Sequence, residues 1–467
     1  MGVFETAKAV RDGRLSAEER TAGFLEAIRK RDGRIHAFVE VFEKDALAKA
    51  REIDARARRG ERLGRLAGVV FSIKSNLCLK GKRATCSSKM LENYVAPYTA
   101  TAVQRLLAED AIIIGSTNMD EFACGSDTTH SAFFPTRNPL DEERVPGGSS
   151  GGAAASVAAG FCDAALGTDT GGSIRCPAAF CGVVGFKPSY GLVSRYGLID
   201  MGMSLDQIGP LAADSASAAQ VLSVIAGEDK LDPVTAGVKP REFNLAAQER
   251  LRVGVPKQFF EGVNAEVGKA VREAAGKLEK TGASLIEVSI PSIEYAIPIY
   301  YLLNFAEFSS AMQRYDGLRY GAAADLTKPL IAAVSEVRDR ALGKEVKRRI
   351  LLGTFITMKE FHEAWLGKTL RARAALKKEF EAALAKCDVL FGPAMPVLPW
   401  KIGEKLNPLE MYLSDVLTVS ANLCGIPAGV IPCGKIGGLS VGAQFHAKAF
   451  EDEKALAAMK LLEERHA

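Results

Sequence analysis

The sequence predicts an α/β fold, a single large domain with a central, mostly parallel mixed sheet covered by helices on both faces. Short apolar runs alternate with helix-like segments, which is the pattern of strands that lie parallel and are joined by helices. The chain has 467 residues, of which 48% are hydrophobic, so it can bury a large core. Because no repeat, low-complexity tract or linker-like stretch divides it, we expect one domain over residues 1–467.

The first 60 residues are predicted to form two or three helices. Between Ser16 and Arg59 the apolar residues recur at helical spacing, and Ser16 stands where a helix cap is expected. Basic residues of the segment 51–65 alternate with acids, which is typical of a solvated helix face and not of a nucleic-acid-binding stripe. The total of 60 Lys and Arg against 56 Asp and Glu favours the same interpretation.

The middle and the end of the chain alternate predicted strands and helices. Strands are expected at "LAGVVFSIKSN", "AIIIGSTN", "DAALGTD", "CGVVGFKP", "LRVGVP", "SLIEVSI", "CDVLFGP", "PAGVIPCG" and "SVGAQFHA". Helices are expected at "TATAVQRLLAED" and at residues 153–159, 265–281 and 452–465. Residues from about 293 to about 386 read as mainly helical, and we interpret them as an insertion on the central sheet.

The cysteines and the lack of long apolar runs indicate in which cellular compartment the protein is expected. The nine cysteines are odd in number, scattered and without a C-x-x-C pair, which favours a reducing compartment. The N-terminus has no signal-peptide core, and no apolar run is long enough to span a membrane. We therefore expect a soluble, cytoplasmic protein.

The stretch "RVPGGSSGGAAASVAAG" (144–160) places two glycine pairs around two serines. A flexible linker would stand between domains, whereas this loop leads directly into a helix of small residues. A phosphate-binding loop would require a lysine after Gly152, and there is none. Residues 147–151 match the G-x-S-x-G of a nucleophile elbow, but that elbow follows an apolar strand, and "LDEERVP" is not one.

A reactive serine also needs a base. Of the histidines, only His362, His446 and His466 follow the glycine loop. Each is more often a surface or packing residue than a base, so the histidines do not favour a Ser-His-Asp site.

A second loop with glycines and hydroxyls, "GTDTGGSIR" (167–175), follows after one predicted helix and one predicted strand. The two loops can therefore meet at the same edge of the sheet. Here Ser173 is a candidate nucleophile, and the backbone N–H groups of Thr170, Gly171 and Gly172 are candidates for an oxyanion hole. The alternative is an ordinary tight turn.

Lys74, at the end of the strand "GVVFSIK", is the candidate base. A lysine acts as a base only when neutral, and burial favours the neutral form by lowering the pKa. Alone, it would be interpreted as a solvated strand end. Together with Ser149, which could donate to Lys74 while accepting from Ser173, it completes a Ser-Lys variant of the catalytic triad.

These residues stand in motifs that resemble the amidase signature family. The resemblance rests on "GGSSGGAAASVAAG" and "LGTDTGGSIRCPAAFCGVVGFKPSYG", which together form a long match. It implies the amidase signature fold, with Ser173 as nucleophile, Ser149 as the bridging serine in a cis peptide bond, and Lys74 as base. The segments "IIIGSTNMDEFACGS" and "MYLSDVLTVSANLCGIPAG" are similar to one branch of the family, the A subunits of tRNA-dependent amidotransferases.

In that branch a tyrosine, an arginine and an aspartate hold the α-amino and α-carboxylate groups of glutamine. Matching the motifs places them at Tyr300, Arg349 and Asp415, with Tyr301 and Arg348 as the alternatives. A guanidinium suits a carboxylate, and a carboxylate suits an ammonium group.

The resemblance implies a glutaminase within a heterotrimer. Ammonia would pass to a B subunit, which uses ATP and Mg²⁺ to amidate Glu-tRNA(Gln) or Asp-tRNA(Asn), while a small C subunit bridges the two. The chain itself is expected to hold no metal or cofactor, and it lacks spacings such as H-E-x-x-H. The alternatives are a free-standing amidase for small or aryl amides and a non-catalytic nucleotide-binding or scaffold protein.

The sequence departs from the family pattern at three places. Ser75 stands where an acid often follows the lysine, Cys176 where "SIRQP" is usual, and "GSDTTHSAF" replaces a Ser-Thr-Glu pattern. None of these departures affects the three triad residues.

Overall fold

The computed structural model describes residues 1–243, 245–246, 250–404 and 407–464. The helices in this part of the chain are α1 (Val3–Arg11), α2 (Ala17–Ile35), α3 (Glu43–Arg58), α4 (Thr101–Ala108), α5 (Gly151–Ala158), α6 (Arg175–Cys181), α7 (Ser215–Ile225), α8 (Ala265–Glu279), α9 (Ala296–Ala311), α10 (Leu330–Ala341), α11 (Lys344–Thr357), α12 (Lys368–Leu384), α13 (Pro408–Leu413), α14 (Val419–Cys424) and α15 (Asp452–Glu463). The strands are β1 (Phe38–Val41), β2 (Val70–Lys74), β3 (Ile112–Thr117), β4 (Ala164–Asp169), β5 (Val184–Lys187), β6 (Gln207–Ala212), β7 (Arg252–Pro256), β8 (Ser284–Val288), β9 (Val389–Pro393), β10 (Ala428–Ile436) and β11 (Leu439–His446).

The eleven strands form one sheet in the order β1-β3-β2-β4-β6-β5-β10-β11-β9-β7-β8. Parallel pairings join β2 to β3 and β4, and β7 to β8 and β9. The other pairings of the described strands are antiparallel. The prediction of a mixed α/β sheet is confirmed, but antiparallel pairings outnumber parallel ones, against the expectation of a mostly parallel sheet.

Two features account for this difference. Strands β10 and β11 form a hairpin around Gly437 and Gly438, whose φ angles of 56° and 86° suit a tight turn between antiparallel strands. Strand β6, which the sequence pattern did not indicate, lies antiparallel between β4 and β5. A strand inserted between two sequence neighbours cannot be inferred from periodicity alone.

The N-terminal helices α1 to α3 agree with the prediction of two or three helices. Ser16 caps α2, its side chain accepting a hydrogen bond from the backbone N–H of Glu19. The short strand β1 between α2 and α3 was not predicted. The segment from about 293 to 386 contains α9 to α12, and the predicted end of the last helix at residue 465 lies outside the described residues.

Helices cover the sheet on both faces, as predicted. Side chains of β2 alternate between two cores: Phe71 and Ile73 pack in the core that includes α4, α7, α8 and α15. Val70 packs in the core that includes α2, α3, α5 and α6. Among the described residues no helix is both long and apolar enough to cross a bilayer, and all nine cysteines are free and buried.

Candidate active site

Lys74 ends β2, all of whose residues are buried. The side-chain nitrogen donates to Ser149 Oγ at 2.7 Å and to Thr168 Oγ1 at 2.9 Å, and it lies 3.3 Å from the carbonyl oxygen of Thr168. The side chain is 0% exposed. Burial lowers the pKa of Lys74 to about 7, against the opposing charges of Asp120 and Asp169. The amine is therefore neutral in a large fraction of molecules near neutral pH.

Ser149 lies in the glycine loop that precedes α5. The peptide bond between Gly148 and Ser149 is cis, as the family resemblance implied. A Cβ atom on Gly148 would lie 2.2 Å from Asp120 Oδ2 and 2.4 Å from the backbone nitrogen of Asp127. Close approach to these groups, in addition to the loop geometry, therefore explains the need for glycine next to Ser149.

Ser173 lies in the loop between β4 and α6 and is 7% exposed. The backbone N–H of Ser150 donates to the carbonyl oxygen of Ser173 at 3.0 Å, which joins the two glycine loops at one edge of the sheet. The hydroxyl of Ser173 makes no hydrogen bond to another described residue. The structure thus contains the Lys74–Ser149 link of the predicted relay, whereas a hydrogen bond between Ser149 and Ser173 is not formed within the described residues.

The predicted oxyanion hole differs from the observed loop at Gly172. Its N–H donates to Asp169 Oδ1 at 2.9 Å, while the N–H of Ile174 donates to Asp169 Oδ2 at 3.0 Å. Although burial opposes ionisation, the guanidinium of Arg175 holds the pKa of Asp169 well below its usual range. The N–H of Gly172 is therefore already hydrogen-bonded to this buried carboxylate and is not free for a ligand.

Within the described residues, the N–H groups of Thr170, Gly171 and Ser173 have no acceptor. These three groups remain candidates for an oxyanion hole, whereas the N–H of Gly172, which belonged to the expected set, is already bonded to Asp169. An acid three residues before the second glycine of a turn is the sequence signal that could have indicated this.

Tyr300, Arg349 and Asp415 line one small cavity together with Ser173 and Ser126. Tyr300 comes from α9 and Arg349 from α11, and Asp415 lies between α13 and α14. The hydroxyl of Tyr300 is 3.1 Å from Thr170 Oγ1. A cationic side chain, Arg349, and an acidic one, Asp415, therefore lie in the same cavity as residues of the two glycine loops.

The structure also shows where the two alternatives from the sequence, Arg348 and Tyr301, lie relative to this cavity. Arg348 is outside this cavity, and its side chain is 41% exposed, whereas Arg349 is 2% exposed and lines the cavity. Both Tyr300 and Tyr301 line the cavity, but their hydroxyls contact different partners. That of Tyr301 donates to Asp415 Oδ2 at 2.9 Å.

Asp415 is held by neighbours that the sequence analysis did not single out. Its Oδ2 accepts hydrogen bonds from Ser126 at 2.8 Å and from Tyr301. Burial raises the pKa of Asp415 to about 7, although these two hydroxyls oppose the shift. A cationic ligand group would restore the ionised form. Because Ser126 is 289 positions away in the chain, no local pattern could have indicated it.

One group of described residues has side-chain atoms close enough together to share a metal ion: Asp120, Asp127 and His130, within 4.8 Å of one another. The imidazole Nδ1 lies 3.5 Å from Asp120 Oδ1 and 3.4 Å from Asp127 Oδ1. Burial opposes the charge on the ring, but the two carboxylates raise the pKa of His130 to about 10. The three side chains form an ion-paired network, in which Asp127 and His130 of the "GSDTTHSAF" segment meet Asp120, which precedes that segment.

The histidines do not supply a base in the described structure. His446 is buried next to Phe259 and Phe380, at ring distances of 5.6 and 6.2 Å, and neither ring nitrogen has a partner there. His362 is exposed, and His466 lies outside the described residues.

Comparison with known proteins agrees with this geometry. The sequence model of the amidase family matches residues 19–456. The chain belongs to the amidase family. This amidase is 48% identical over 455 residues to the A subunit of the glutamyl-tRNA(Gln) amidotransferase of Moorella thermoacetica, in a match that covers 96% of this chain and 93% of that protein. It is 47% identical over 459 residues to the corresponding protein of Caldanaerobacter subterraneus, with coverages of 97% and 94%.

A solved structure of a related protein has the same fold as this amidase. The A subunit of the glutamyl-tRNA(Gln) amidotransferase of Thermotoga maritima superposes on this amidase with a TM-score of 0.81 and 37% identity. The match covers 98% of this chain and 94% of that one. The amidase assignment and the amidase signature fold are thereby confirmed.

Proposed function

We propose that this amidase is the glutamine-hydrolysing A subunit of a tRNA-dependent amidotransferase. Relatives that match nearly its whole length carry that name. The observation that carries the proposal is a cavity in which Arg349 and Asp415 accompany Ser173, with Ser149 in the adjoining glycine loop hydrogen-bonded to the buried Lys74 at the end of β2. The amino acid end of glutamine has the two charges that such a cavity complements.

In the proposed reaction Ser173 Oγ attacks the side-chain amide carbon of glutamine. Its proton passes to Ser149 Oγ while the proton of Ser149 passes to the neutral amine of Lys74. The N–H groups of Thr170, Gly171 and Ser173 stabilise the negative charge that develops on the amide oxygen. The C–N bond then breaks, the nitrogen takes the proton back from Lys74 through Ser149, and ammonia leaves.

Water completes the cycle. It attacks the acyl-enzyme ester on Ser173 and loses a proton to Lys74 through Ser149; the ester C–O bond then breaks, Ser173 Oγ takes that proton back through the same relay, and glutamate is released. A relay that carries protons in both directions requires a base whose pKa lies near the working pH. Lys74 meets this requirement because burial brings its pKa to about 7.

Substrate selection follows from the two charges of the cavity. Arg349 would pair with the α-carboxylate of glutamine, and Asp415 with its α-ammonium group. Tyr300, whose hydroxyl lies beside Thr170, would contact the bound amino acid. A small or aryl amide has neither charge, so a free-standing amidase would leave Arg349 and Asp415 buried without a ligand.

The partners are part of the proposal, and the names of the relatives, A subunits of an amidotransferase, support a complex with other subunits. Ammonia released here would be used by a B subunit, which activates Glu-tRNA(Gln) or Asp-tRNA(Asn) with ATP and Mg²⁺, and a C subunit would complete a cytoplasmic heterotrimer. The chain itself would contribute the glutaminase step without a metal or cofactor.

The test is covalent labelling by an electrophilic glutamine analogue, 6-diazo-5-oxo-L-norleucine, read by intact mass. We expect one adduct on the native chain and none on the Ser173→Ala variant, with strongly slowed labelling of Lys74→Ala. An adduct of equal yield on Ser173→Ala would refute the nucleophile. A free-standing amidase would instead hydrolyse aryl amides faster than glutamine, with a rate that added B and C subunits do not change.

A further inference from the structure

Arg349 has one hydrogen-bond partner in the described structure and two free nitrogens. Its Nε donates to Glu345 Oε1 at 2.8 Å, and neither terminal nitrogen contacts an acceptor among the described residues. The guanidinium lies over the rings of Tyr301, Phe305 and Tyr412, with distances of 5.5, 5.8 and 5.7 Å to the ring centres. The unused donors of a buried guanidinium are thus left for a ligand in the cavity.

Glu345 stands one helical turn before Arg349 on α11 and is buried. Its Oε1 also accepts a hydrogen bond from the hydroxyl of Tyr412 at 2.8 Å, and Oε2 pairs with Arg348. Burial opposes its charge, but Arg349 and Tyr412 outweigh burial and hold the pKa of Glu345 below its usual value. The carboxylate is therefore ionised, and its Oε1 is fixed by Arg349 and Tyr412.

We propose that Glu345 is a positioning residue, which fixes the guanidinium of Arg349 through Nε so that its terminal nitrogens receive the α-carboxylate of the substrate. This inference rests on the proposed function, because it assigns a role to Glu345 only if a carboxylate binds at Arg349. An arginine side chain has many rotamers, and ordering it in advance removes an entropic cost from binding. A carboxylate at Nε also aligns the planar donor fork for a second, bidentate partner.

Glu345 is also connected to Asp415 through two tyrosines. Tyr412, its hydrogen-bond donor, stacks on Tyr301 with ring centres 4.1 Å apart and an interplanar angle of 29°. Tyr301 in turn donates to Asp415. A single chain of contacts therefore links Arg349 to Asp415, and both line the same cavity.

The test compares two substrates in the full-length chain with its partner subunits. Glutamine carries the α-carboxylate, and 4-aminobutanamide is the same molecule without it. We expect Glu345→Ala to lower kcat/KM for glutamine about 30-fold, mainly through KM, and to change kcat/KM for 4-aminobutanamide less than about threefold. Glu345→Gln keeps an acceptor for Nε and should lose less. The matched control is Arg348→Gln, which changes the exposed partner of the same carboxylate and should leave both substrates within about twofold.

Equal losses on both substrates, or no loss on glutamine, would overturn the inference. If Glu345→Ala does not fold, as judged by thermal unfolding, Tyr412→Phe removes one of the two hydrogen bonds to Oε1. That variant must lower kcat/KM for glutamine more than kcat/KM for 4-aminobutanamide, but by a smaller factor than is expected for Glu345→Ala. Arg349→Ala separates this inference from the proposed function: if it does not reduce the preference for glutamine over 4-aminobutanamide, the proposed function fails. If it does so while Glu345→Ala does not, only the role of Glu345 fails.

Discussion

The side-chain nitrogen of Lys74 lies 2.7 Å from the hydroxyl oxygen of Ser149, in a part of the protein where neither residue is exposed to solvent. Without hydration the ammonium form loses most of its advantage over the amine, so the pKa of Lys74 falls to about 7. The serine hydroxyl can then either accept from the ammonium or donate to the amine. In the proposed reaction, proton transfer depends on this contact.

The pH profile tests this contact. Because the base must be neutral, we expect kcat/KM to rise with pH through about 7, as the buried Lys74 loses its proton. Lys74→Arg should be inactive at every pH, since a guanidinium stays protonated, and Lys74→Ala should lose roughly 10⁴-fold. The profile is best measured with glutaric acid monoamide, which lacks the α-amino group and so avoids the ionisation of Asp415. A flat profile between pH 6 and 8 would contradict a neutral Lys74.

A second prediction concerns the ammonium group of the substrate. The pKa of Asp415 is raised to about 7 by burial, so its ionised form dominates above that pH, and the KM for glutamine should fall as pH rises through 7. Asp415→Asn should raise KM at pH 8 by about 10- to 100-fold and remove this pH dependence. Glutaric acid monoamide should be hydrolysed by the variant at nearly the native rate.

The neighbouring Ser414 supplies the control. Its hydroxyl donates to the carbonyl oxygen of Met411 and does not line the cavity. Ser414→Ala should therefore leave KM for glutamine unchanged. An equal effect of both variants would show that the loop, and not the charge of Asp415, determines KM.

The glycine before Ser149 gives a third prediction. A Cβ at position 148 would overlap the carboxylate of Asp120 and the backbone of Asp127, so Gly148→Ala should abolish glutamine hydrolysis or prevent folding. The control is Gly276 on α8, where a Cβ would meet nothing within 4 Å. Gly276→Ala should retain full activity and raise the free energy of unfolding by about 0.5–1 kcal/mol. Full activity in Gly148→Ala would show that the close approach of Asp120 and Asp127 to position 148 does not require glycine there.

The buried His446 makes stability depend on pH. Burial holds its pKa well below the ordinary value, whereas the unfolded chain binds a proton near pH 6.5. The unfolded state therefore binds more protons below that pH, and the free energy of unfolding should fall as the pH drops from about 6.5 towards 5. Urea unfolding at several pH values measures this slope.

His446→Leu removes the titrating group and two buried nitrogens that lack partners among the described residues. We expect a smaller acid-dependent loss than in the native chain, and at pH 7.5 a free energy of unfolding higher by about 1–3 kcal/mol. His362→Leu, at an exposed position, should change the free energy of unfolding by less than about 0.5 kcal/mol. If His446→Leu shows the native slope, other groups cause the acid sensitivity.

Much of the site could be predicted because its chemistry is local. The glycines around Ser149 and the turn before Ser173 exclude a linker and a phosphate loop by residue type and spacing alone. Lys74 at the end of an apolar strand became a candidate base only together with the two hydroxyl-bearing loops, because alone it would be interpreted as a solvated strand end. The motif match then placed Arg349 and Asp415, which line one cavity with Ser173.

Other features could not be predicted because they depend on contacts between distant segments. Gly172 was expected to be free, but its N–H is bonded to a carboxylate whose charge Arg175 stabilises. Ser126 meets Asp415, and Tyr412 meets Glu345, only because segments far apart in the chain pack together. No periodicity contains that information.

By itself, the sequence determined the local elements and the α/β class, because periodicity, capping and glycine freedom act over a few neighbouring positions, and its motifs indicated the candidate site residues. Only the tertiary structure decided the antiparallel majority of the sheet, the donors left for an oxyanion, and the protonation of Lys74 and Asp415. The physical reason is that strand pairing and desolvation depend on which distant segments exclude water from one another.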